Sequence, residues 1–207
     1  MKRVIARLDI KGSRLIKGIH LEGWRFLEGD PNEYCLKYYN QGADEILYID
    51  AVASLYNRES LREIIRKTTE NVFVPLTVGG GIRSIEDVTE ILRSGADKIA
   101  ICSQGMVVSI QAKKDHLGNY KVWFDVAREK TDMDVEEYAM KVEKLGAGEV
   151  LLTSVDMEGT RKGMDIELIK KVTNATKIPV IACGGFGQVN DFFEAVDNGA
   201  DAVAIAK

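Results

Sequence analysis

The chain has 207 residues, of which 45% are hydrophobic and 29% charged, with 19 glycines and 3 prolines. This composition is that of an ordinary globular domain, and it excludes a disordered, collagen-like or coiled-coil chain. The net charge is −4 with both signs interspersed, which excludes the basic patch of a nucleic-acid-binding protein. No apolar run approaches the roughly 20 residues of a membrane span, and Asp9 stands where a secretory leader would be apolar. Three cysteines without metal-binding spacing favour reduced thiols in a cytoplasmic protein.

Eight short apolar runs predict β-strands that are apolar throughout rather than alternating. Such strands are buried on both faces, as in a parallel sheet covered by helices. In chain order they are Val4–Leu8, Glu45–Ile49, Val74–Val78, Lys98–Cys102, Val107–Gln111, Glu149–Thr153, Ile178–Ala182 and Ala202–Ala206. Amphipathic stretches predict helices at Pro31–Gln41, Leu55–Thr69, Ser84–Arg93, Met133–Leu145, Ile166–Thr173 and Val189–Asp197. Alternating strands and helices predict an α/β fold.

An internal repeat narrows the fold class. The segment Val74–Ile101 aligns without gaps on Ile178–Ile205, with 10 of 28 positions identical. Two halves of four strands each, about 1–104 and 105–207, predict one (β/α)8 TIM barrel over residues 1–207. A doubly wound open sheet would explain the alternation, but neither the eight strands nor the duplication.

The chain is short for such a barrel. Only four residues separate Cys102 from Val107, whereas a parallel crossover needs about a dozen or more. We therefore expect the helices after the fourth and eighth strands to be absent from this chain.

Glycine clusters follow the third and seventh strands, at Gly80 and Gly81 and at Gly184 and Gly185. Glycines at strand-to-helix turns let backbone N–H groups approach an anion, although a tight turn alone would explain either cluster. Their equivalent places predict two phosphate sites on opposite sides of the barrel mouth, and hence an elongated ligand with a phosphate at each end. Further candidates for these sites are Ser103, Glu158 and Gly159.

Asp9 ends the first strand, where burying a carboxylate is costly unless it has a functional role or an ion-pair partner. We interpret it as the proton-transfer group of the site. The segment Ile10–Asp30 lacks clear strand or helix signals and is a candidate lid that carries Lys11 and Lys17. Asp50 ends the second strand, as a pocket carboxylate or a helix cap.

The equivalent of Asp9 in the second half is Gln111, which can donate and accept hydrogen bonds but cannot transfer a proton. Lys113 is a distant second candidate for proton transfer. His20 and His116 are expected to be exposed, and no metal or cofactor site is predicted. The turn Lys113–Lys121 predicts a hairpin.

Four charged residues stand at strand starts, on the opposite face of the barrel: Arg3, Glu45, Lys98 and Glu149. They are either solvated strand ends or a closed ring of salt bridges. The sequence alone leaves both alternatives open.

Several motifs together resemble the cyclase subunit of imidazole glycerol phosphate synthase over essentially the whole chain. They are ARLDIKGSRLIKG, DAVAS, LTVGGGI, GADKIAI, GAGEVLLTSVDMEGT and CGGFG. The resemblance implies a bisphosphorylated, ribulose-linked aminoimidazole substrate bound at two phosphate sites. It also implies a glutamine amidotransferase docked on the N-terminal face, whose ammonia passes a charged gate and travels through the barrel.

The resemblance also assigns residues. Asp9 and Lys17 match the catalytic acid/base and the loop lysine, and Asp97 matches an interface acid. The gate matches Arg3, Glu45, Lys98 and Glu149, and the substrate-binding positions include Thr153 beside the glycines named above.

The chain departs from the family at four positions that touch substrate or chemistry. The second catalytic Asp is Gln111, an Asn-Thr pair is Cys102-Ser103, a loop Asp is Glu158, and a Ser is Lys207. This pattern favours a paralogue that supplies ammonia, with a sugar amidotransferase, for amidation of a surface-polysaccharide sugar. The alternative is a genuine cyclase that makes imidazole glycerol phosphate and AICAR in histidine biosynthesis. A sugar-phosphate isomerase on the same barrel is a remote third possibility.

Overall fold

The computed structural model describes residues 2–51, 59–82, 84–101 and 107–206. The strands are β1 (Arg3–Lys11), β2 (Arg14–Ile19), β3 (Glu22–Phe26), β4 (Glu45–Asp50), β5 (Leu76–Gly79), β6 (Lys98–Ile101), β7 (Val107–Lys114), β8 (Tyr120–Phe124), β9 (Glu129–Asp134), β10 (Glu149–Ser154), β11 (Val180–Cys183) and β12 (Ala202–Ala206). The helices are α1 (Pro31–Asn40), α2 (Glu59–Thr69), α3 (Ile85–Arg93), α4 (Val135–Lys144), α5 (Ile166–Ala175) and α6 (Val189–Asp197).

Eight parallel strands close into a barrel in the order β1-β4-β5-β6-β7-β10-β11-β12. Closure is direct, because β12 pairs with β1 in parallel register, with Val4 opposite Val203. The predicted (β/α)8 barrel is thus confirmed, and the open-sheet alternative is excluded. All eight predicted strands form the barrel wall, with bounds that differ by up to three residues.

Two antiparallel extensions rise from the mouth of the barrel, with β2 and β3 following β1, and β8 and β9 following β7. β8 extends from β7, with Lys113 opposite Lys121, as the turn residues predicted. The other hairpin, β2 and β3, corrects our expectation that Ile10–Asp30 would lack strands. Its two-residue turn is His20-Leu21, with φ of 53° and 60°. These angles are those of a type I′ turn. Such turns are usually predicted from an Asn-Gly pair, and His20-Leu21 carries no such signal.

The core has an inner and an outer layer. The barrel interior holds an apolar cluster that includes Ile5, Leu47, Leu151 and Ile181. Larger clusters lie between the strands and the helices outside them. This double burial explains why the strands are apolar on both faces.

Three aspartates form hydrogen bonds between neighbouring strands at the N-terminal face of the barrel. Each follows a Gly-Ala pair and accepts a backbone N–H at the start of a neighbouring strand: Asp44 from β1, Asp97 from β5 and Asp201 from β11. The O···N distances are 2.8, 2.8 and 3.1 Å. Asp97, which the family resemblance places at a partner interface, therefore also has a structural role within this chain.

Between β6 and β7 lie five residues, 102–106, which fall outside the described ranges, as does Lys207. None of the helices in the described ranges is long and apolar enough to cross a membrane.

Replacing Asp97 by Ala should lower the free energy of unfolding by about 1 kcal/mol, because the N–H of Leu76 loses its acceptor. Urea denaturation measures the change. The matched control is Asp197→Ala at the exposed end of α6, which should stay within about 0.5 kcal/mol. Equal losses in both variants would contradict the fastening role.

Candidate functional site

The carboxyl ends of parallel barrel strands meet at one face, and the βα loops there build the sites of such barrels. Openings lie at this mouth above each half of the strand set, and a narrower one, lined by Asp9 and Glu158, lies under the hairpin β2–β3. They bring together most of the residues that the sequence singled out.

The first opening is a cavity of about 150 Å³ between the ends of β4, β5 and β7. Asp50, Gly80, Gly81 and Gln111 line it, so the structure brings these four predicted residues together. Gly80 has a φ of 95°, and a Cβ there would collide with the backbone of Asp50. Only glycine permits this close approach of two strand ends. Ser103, predicted for the same site, lies outside the described residues.

Gln111 forms a hydrogen bond to the turn between β8 and β9, which lines this cavity. Its Oε1 accepts a hydrogen bond from the N–H of Ala127 at 2.7 Å. Asp125, Val126 and Ala127 have successive φ values of 49°, 57° and 58°. Left-handed conformations at non-glycine residues each cost of order 1–3 kcal/mol and persist only where the surroundings enforce them. The amide of Gln111 is therefore engaged in a positioning contact.

The second opening lies among the hairpin β2–β3 and the loops that follow β10 and β11. Its lining includes the predicted residues Lys17, Glu158, Gly159, Gly184 and Gly185.

The hairpin is docked on this side of the mouth. The N–H of His20 donates to the carbonyl oxygen of Glu158 at 2.9 Å, and its Nδ1 lies 3.0 Å from the carbonyl oxygen of Val155. The exposed His20 is thus structural. The predicted lid is an ordered hairpin that packs directly against the second opening.

Two of the predicted substrate-binding residues lie away from both openings. Lys11 places its ammonium over the ring of Phe26, 5.9 Å from the centroid. Thr153 is buried in β10, beside Gln111 in the sheet register. In the described part of the chain, neither residue is among those that line the openings named above.

Arg7 is the central residue that the sequence analysis missed. It is 5% exposed inside the barrel, and its Nε donates to Oδ1 of Asp9 at 3.0 Å. Its Nη1 lies 3.0 Å from Sγ of Cys183 and 3.8 Å from Oε2 of Glu158. One signal was available: Arg3, Arg7 and Asp9 share the odd positions of β1, which face one side of the strand.

Burial dominates the electrostatics of this cluster. It raises the pKa of the Glu158 carboxyl, with the charge of Asp9 adding to it and those of Arg7 and Lys17 opposing it. Burial also raises the pKa of the Cys183 thiol to about 11, so the thiol is protonated at neutral pH. A neutral thiol and a carboxyl that resists ionisation thus share one guanidinium.

The four charged residues at the strand starts form a closed ring at the opposite end of the barrel. Arg3 Nη1 lies 3.0 Å from Oε2 of Glu45, and Arg3 Nη2 lies 2.8 Å from Oε1 of Glu149. Lys98 Nζ completes the ring at 3.1 Å from Glu45 and 3.5 Å from Glu149. Thr77 donates its hydroxyl to the remaining oxygen of Glu45. Of the two alternatives left open by the sequence, the structure shows the ring.

The side chains described here form no metal site. Over residues 2–51, 59–82, 84–101 and 107–206, no three His, Cys, Asp or Glu residues group as ligands.

Replacing Gln111 by Leu should loosen the turn and cost about 1–3 kcal/mol of stability, because the N–H of Ala127 loses its acceptor. Gln111→Glu keeps an acceptor of the same length and should lose much less. Urea denaturation and the fluorescence of Trp123, which pairs with position 111 across β7 and β8, report the change in a Trp24→Phe background. Identical behaviour of the two variants would contradict a positioning role for the amide oxygen.

Comparisons with known proteins agree with this architecture. A family model described as "Histidine biosynthesis protein" matches twice, at residues 3–106 and 100–207. The imidazole glycerol phosphate synthase subunit HisF of Legionella pneumophila is 54% identical over 208 residues, which covers 92% of this chain and 98% of the relative. The HisF subunits of Alkaliphilus metalliredigens and Thermobifida fusca are each 41% identical, over 99% of this chain and 88% of their own lengths. The chain therefore belongs to the histidine biosynthesis protein family, in its branch of HisF imidazole glycerol phosphate synthase subunits.

Proposed function

We propose that the chain is the cyclase subunit of an imidazole glycerol phosphate synthase, which uses ammonia to make imidazole glycerol phosphate and AICAR in histidine biosynthesis. The observation that carries the proposal is the presence, in one barrel, of a mouth containing Asp9 and Lys17 and a charged ring at the other end. The names of the relatives favour this function over our expectation of a surface-polysaccharide paralogue.

The two openings at the mouth suit a ligand with an anionic group at each end. Glycine turns frame both, at Gly80 and Gly81 in one and at Gly184 and Gly185 in the other. Lys17 contributes positive charge to the second opening. A bisphosphorylated substrate that spans the mouth would lie across Asp9, between the two anchors.

The other end of the barrel suits the entry of ammonia. Above the ring of Arg3, Glu45, Lys98 and Glu149, the interior is lined by aliphatic side chains such as Ile5 and Leu151. Neutral ammonia crosses such a passage far more readily than ammonium, whose desolvation is very costly. A glutamine amidotransferase of the HisH type, docked on this face with Asp97 in the interface, would deliver ammonia at the ring.

Within the mouth, Asp9 takes a proton from the attacking ammonia, and Arg7 holds its carboxylate in place. Lys17, on the docked hairpin, lies beside the second anionic group. The hairpin also restricts the access of water to the reacting atoms.

Gln111 favours a second candidate function. Because the equivalent position in the family carries a catalytic Asp, a chain with Gln there can conduct ammonia without closing the ring itself. Such a subunit would serve a separate acceptor enzyme, for example a sugar amidotransferase.

Turnover of the aminoimidazole substrate with free ammonia decides between the two functions. The cyclase function predicts turnover by the wild-type chain, and Asp9→Asn should reduce it by about 10²-fold or more, because the proton acceptor is lost. The second function predicts no wild-type turnover and a gain on Gln111→Asp. Turnover that survives Asp9→Asn unchanged would contradict the assignment of Asp9.

The ring can be tested as a seal in the complex with a glutaminase partner. Lys98→Met leaves two carboxylates with one cation, which should open the seal and lower the product formed per glutamine hydrolysed by about tenfold, equivalent to ~1.4 kcal/mol. Lys37→Met, on the exposed side of α1, is the control and should not change this ratio. An unchanged ratio in Lys98→Met would contradict the gate.

A further inference from the structure

We propose that Glu158 is the second proton-transfer group of this mouth, acting with Asp9 in place of the acid that Gln111 does not supply. The inference rests on the proposed cyclase function and goes beyond it by naming a catalytic residue particular to this chain. It assigns the general-acid role to a residue that the sequence suggested only for substrate binding.

Asp9 and Glu158 lie on either side of one buried cation. Asp9 and Glu158 both contact the guanidinium of Arg7, at Nε and Nη1 respectively. The two carboxyl groups therefore flank one guanidinium, although they come from β1 and from the loop after β10. Both also line the opening that Lys17 and Gly159 border.

The second observation concerns access. Glu158 is 7% exposed, yet it lines both the opening under the hairpin and the one framed by Gly184 and Gly185. Its carboxyl is thus buried against bulk solvent but adjacent to the space that a ligand would occupy. A proton donor in this position can reach a bound substrate without exchanging freely with water.

The surroundings of Glu158 favour its protonated form more than water would. Burial raises the pKa of this carboxyl, and the negative charge of Asp9 raises it further. Arg7 and Lys17 act in the opposite direction, and Arg161 borders the same opening. A carboxyl whose surroundings favour its protonated form is suited to the role of a general acid.

Cys183 neighbours the same carboxyl. Its thiol donates to Oε2 of Glu158 at 3.9 Å, which lowers the pKa of that carboxyl, and its Sγ accepts a hydrogen bond from Arg7. Because the pKa of this thiol is raised to about 11, it adds no negative charge beside Glu158.

The proton count balances when ammonia adds to a carbonyl. The nitrogen forms its bond to carbon while Asp9 takes one proton from it. Glu158 gives one proton to the oxygen, which becomes the hydroxyl of a carbinolamine. Glu158 is then a carboxylate and Asp9 a neutral acid, and transfer of that proton between them restores the starting state. In a second round Asp9 takes another proton from the nitrogen and Glu158 gives another to the hydroxyl, so the C–O bond breaks, water leaves and the C–N double bond forms.

The other candidates at the mouth are placed less well. Gln111 carries no transferable proton and holds Ala127. Lys113 lies with its ammonium over the ring of Trp123, 5.2 Å from the centroid. Asp50 lines the opposite cavity, away from Arg7.

The test compares Glu158→Gln and Glu158→Asp with the wild type in ammonia-dependent turnover across pH. The wild type should lose activity as pH rises through the raised pKa of Glu158, because the acid form is consumed. Glu158→Gln should turn over on the order of 10²-fold more slowly and lack this alkaline limb. Glu158→Asp should keep the limb at lower activity. Glu167→Gln, an exposed carboxyl in the first turn of α5, is the matched control and should follow the wild type.

Each outcome bears on the proposal. Wild-type turnover that survives Glu158→Gln, with its alkaline limb intact, would overturn this inference and leave the cyclase function standing. Absence of turnover in the wild type and in every variant would overturn both. Should Glu158→Gln fail to fold in a thermal denaturation control, a folded Glu158→Asp without the limb would also overturn the assignment. Carboxyl ¹³C titration gives an independent readout, and a Glu158 pKa at the ordinary value of about 4.3 would exclude the acid role.

Discussion

The mouth of this barrel is organised around one buried guanidinium. Arg7 lies in the interior and contacts two carboxyl groups and a thiol that come from three separate parts of the chain. Strand β12 lies between β1, which carries Arg7, and β11, which carries Cys183. The side chain of Arg7 crosses β12, which carries the small interior residue Ala204. Removing one member of a buried ion pair typically costs about 3–5 kcal/mol of stability, because the remaining charge is left buried without a partner. Loss of Arg7 would therefore destabilise the carboxyl groups that it contacts. The position of the Asp9 carboxylate depends on this contact.

The two ends of the barrel use charge in different ways. The ring at the strand starts alternates cations and anions, so that each of Arg3 and Lys98 contacts both glutamates. The cluster at the mouth concentrates charge on one cation instead. The ring thus balances its charges in pairs, whereas the cluster sets one cation beside a carboxyl and a thiol whose pKa values burial raises.

Much of the fold follows from the sequence because its signals are local and repeated. Apolar runs of β-branched residues mark the strands, and glycines such as Gly95 and Gly146, with φ of 117° and 92°, mark the helix ends. The hairpin β2–β3 escaped prediction because its turn uses non-glycine residues and its faces show no clean alternation. Its position is fixed by long-range contacts of His20 rather than by local propensity.

The site was predictable in part for the same reason. Residues at strand ends, such as Asp9, Gly80 and Gly184, can be placed by counting strands, because the topology brings strand ends to one face. Arg7 could not be placed in this way, since its importance arises from partners far away in the sequence. The contact of Gln111 with Ala127 likewise depends on the shape of a turn that no sequence motif announces.

The closure between β1 and β12 has a consequence for how the molecule acquires its site during folding. Arg3 pairs with Ala202, so the two ends of the described chain must meet before the barrel wall is complete. The docking of the first hairpin on the loop after β10 adds a second contact of very large sequence separation. Such high contact order slows folding, because the loop-closure entropy is lost before the contacts form. During synthesis on the ribosome, the barrel wall therefore stays open until β12 is available to pair with β1.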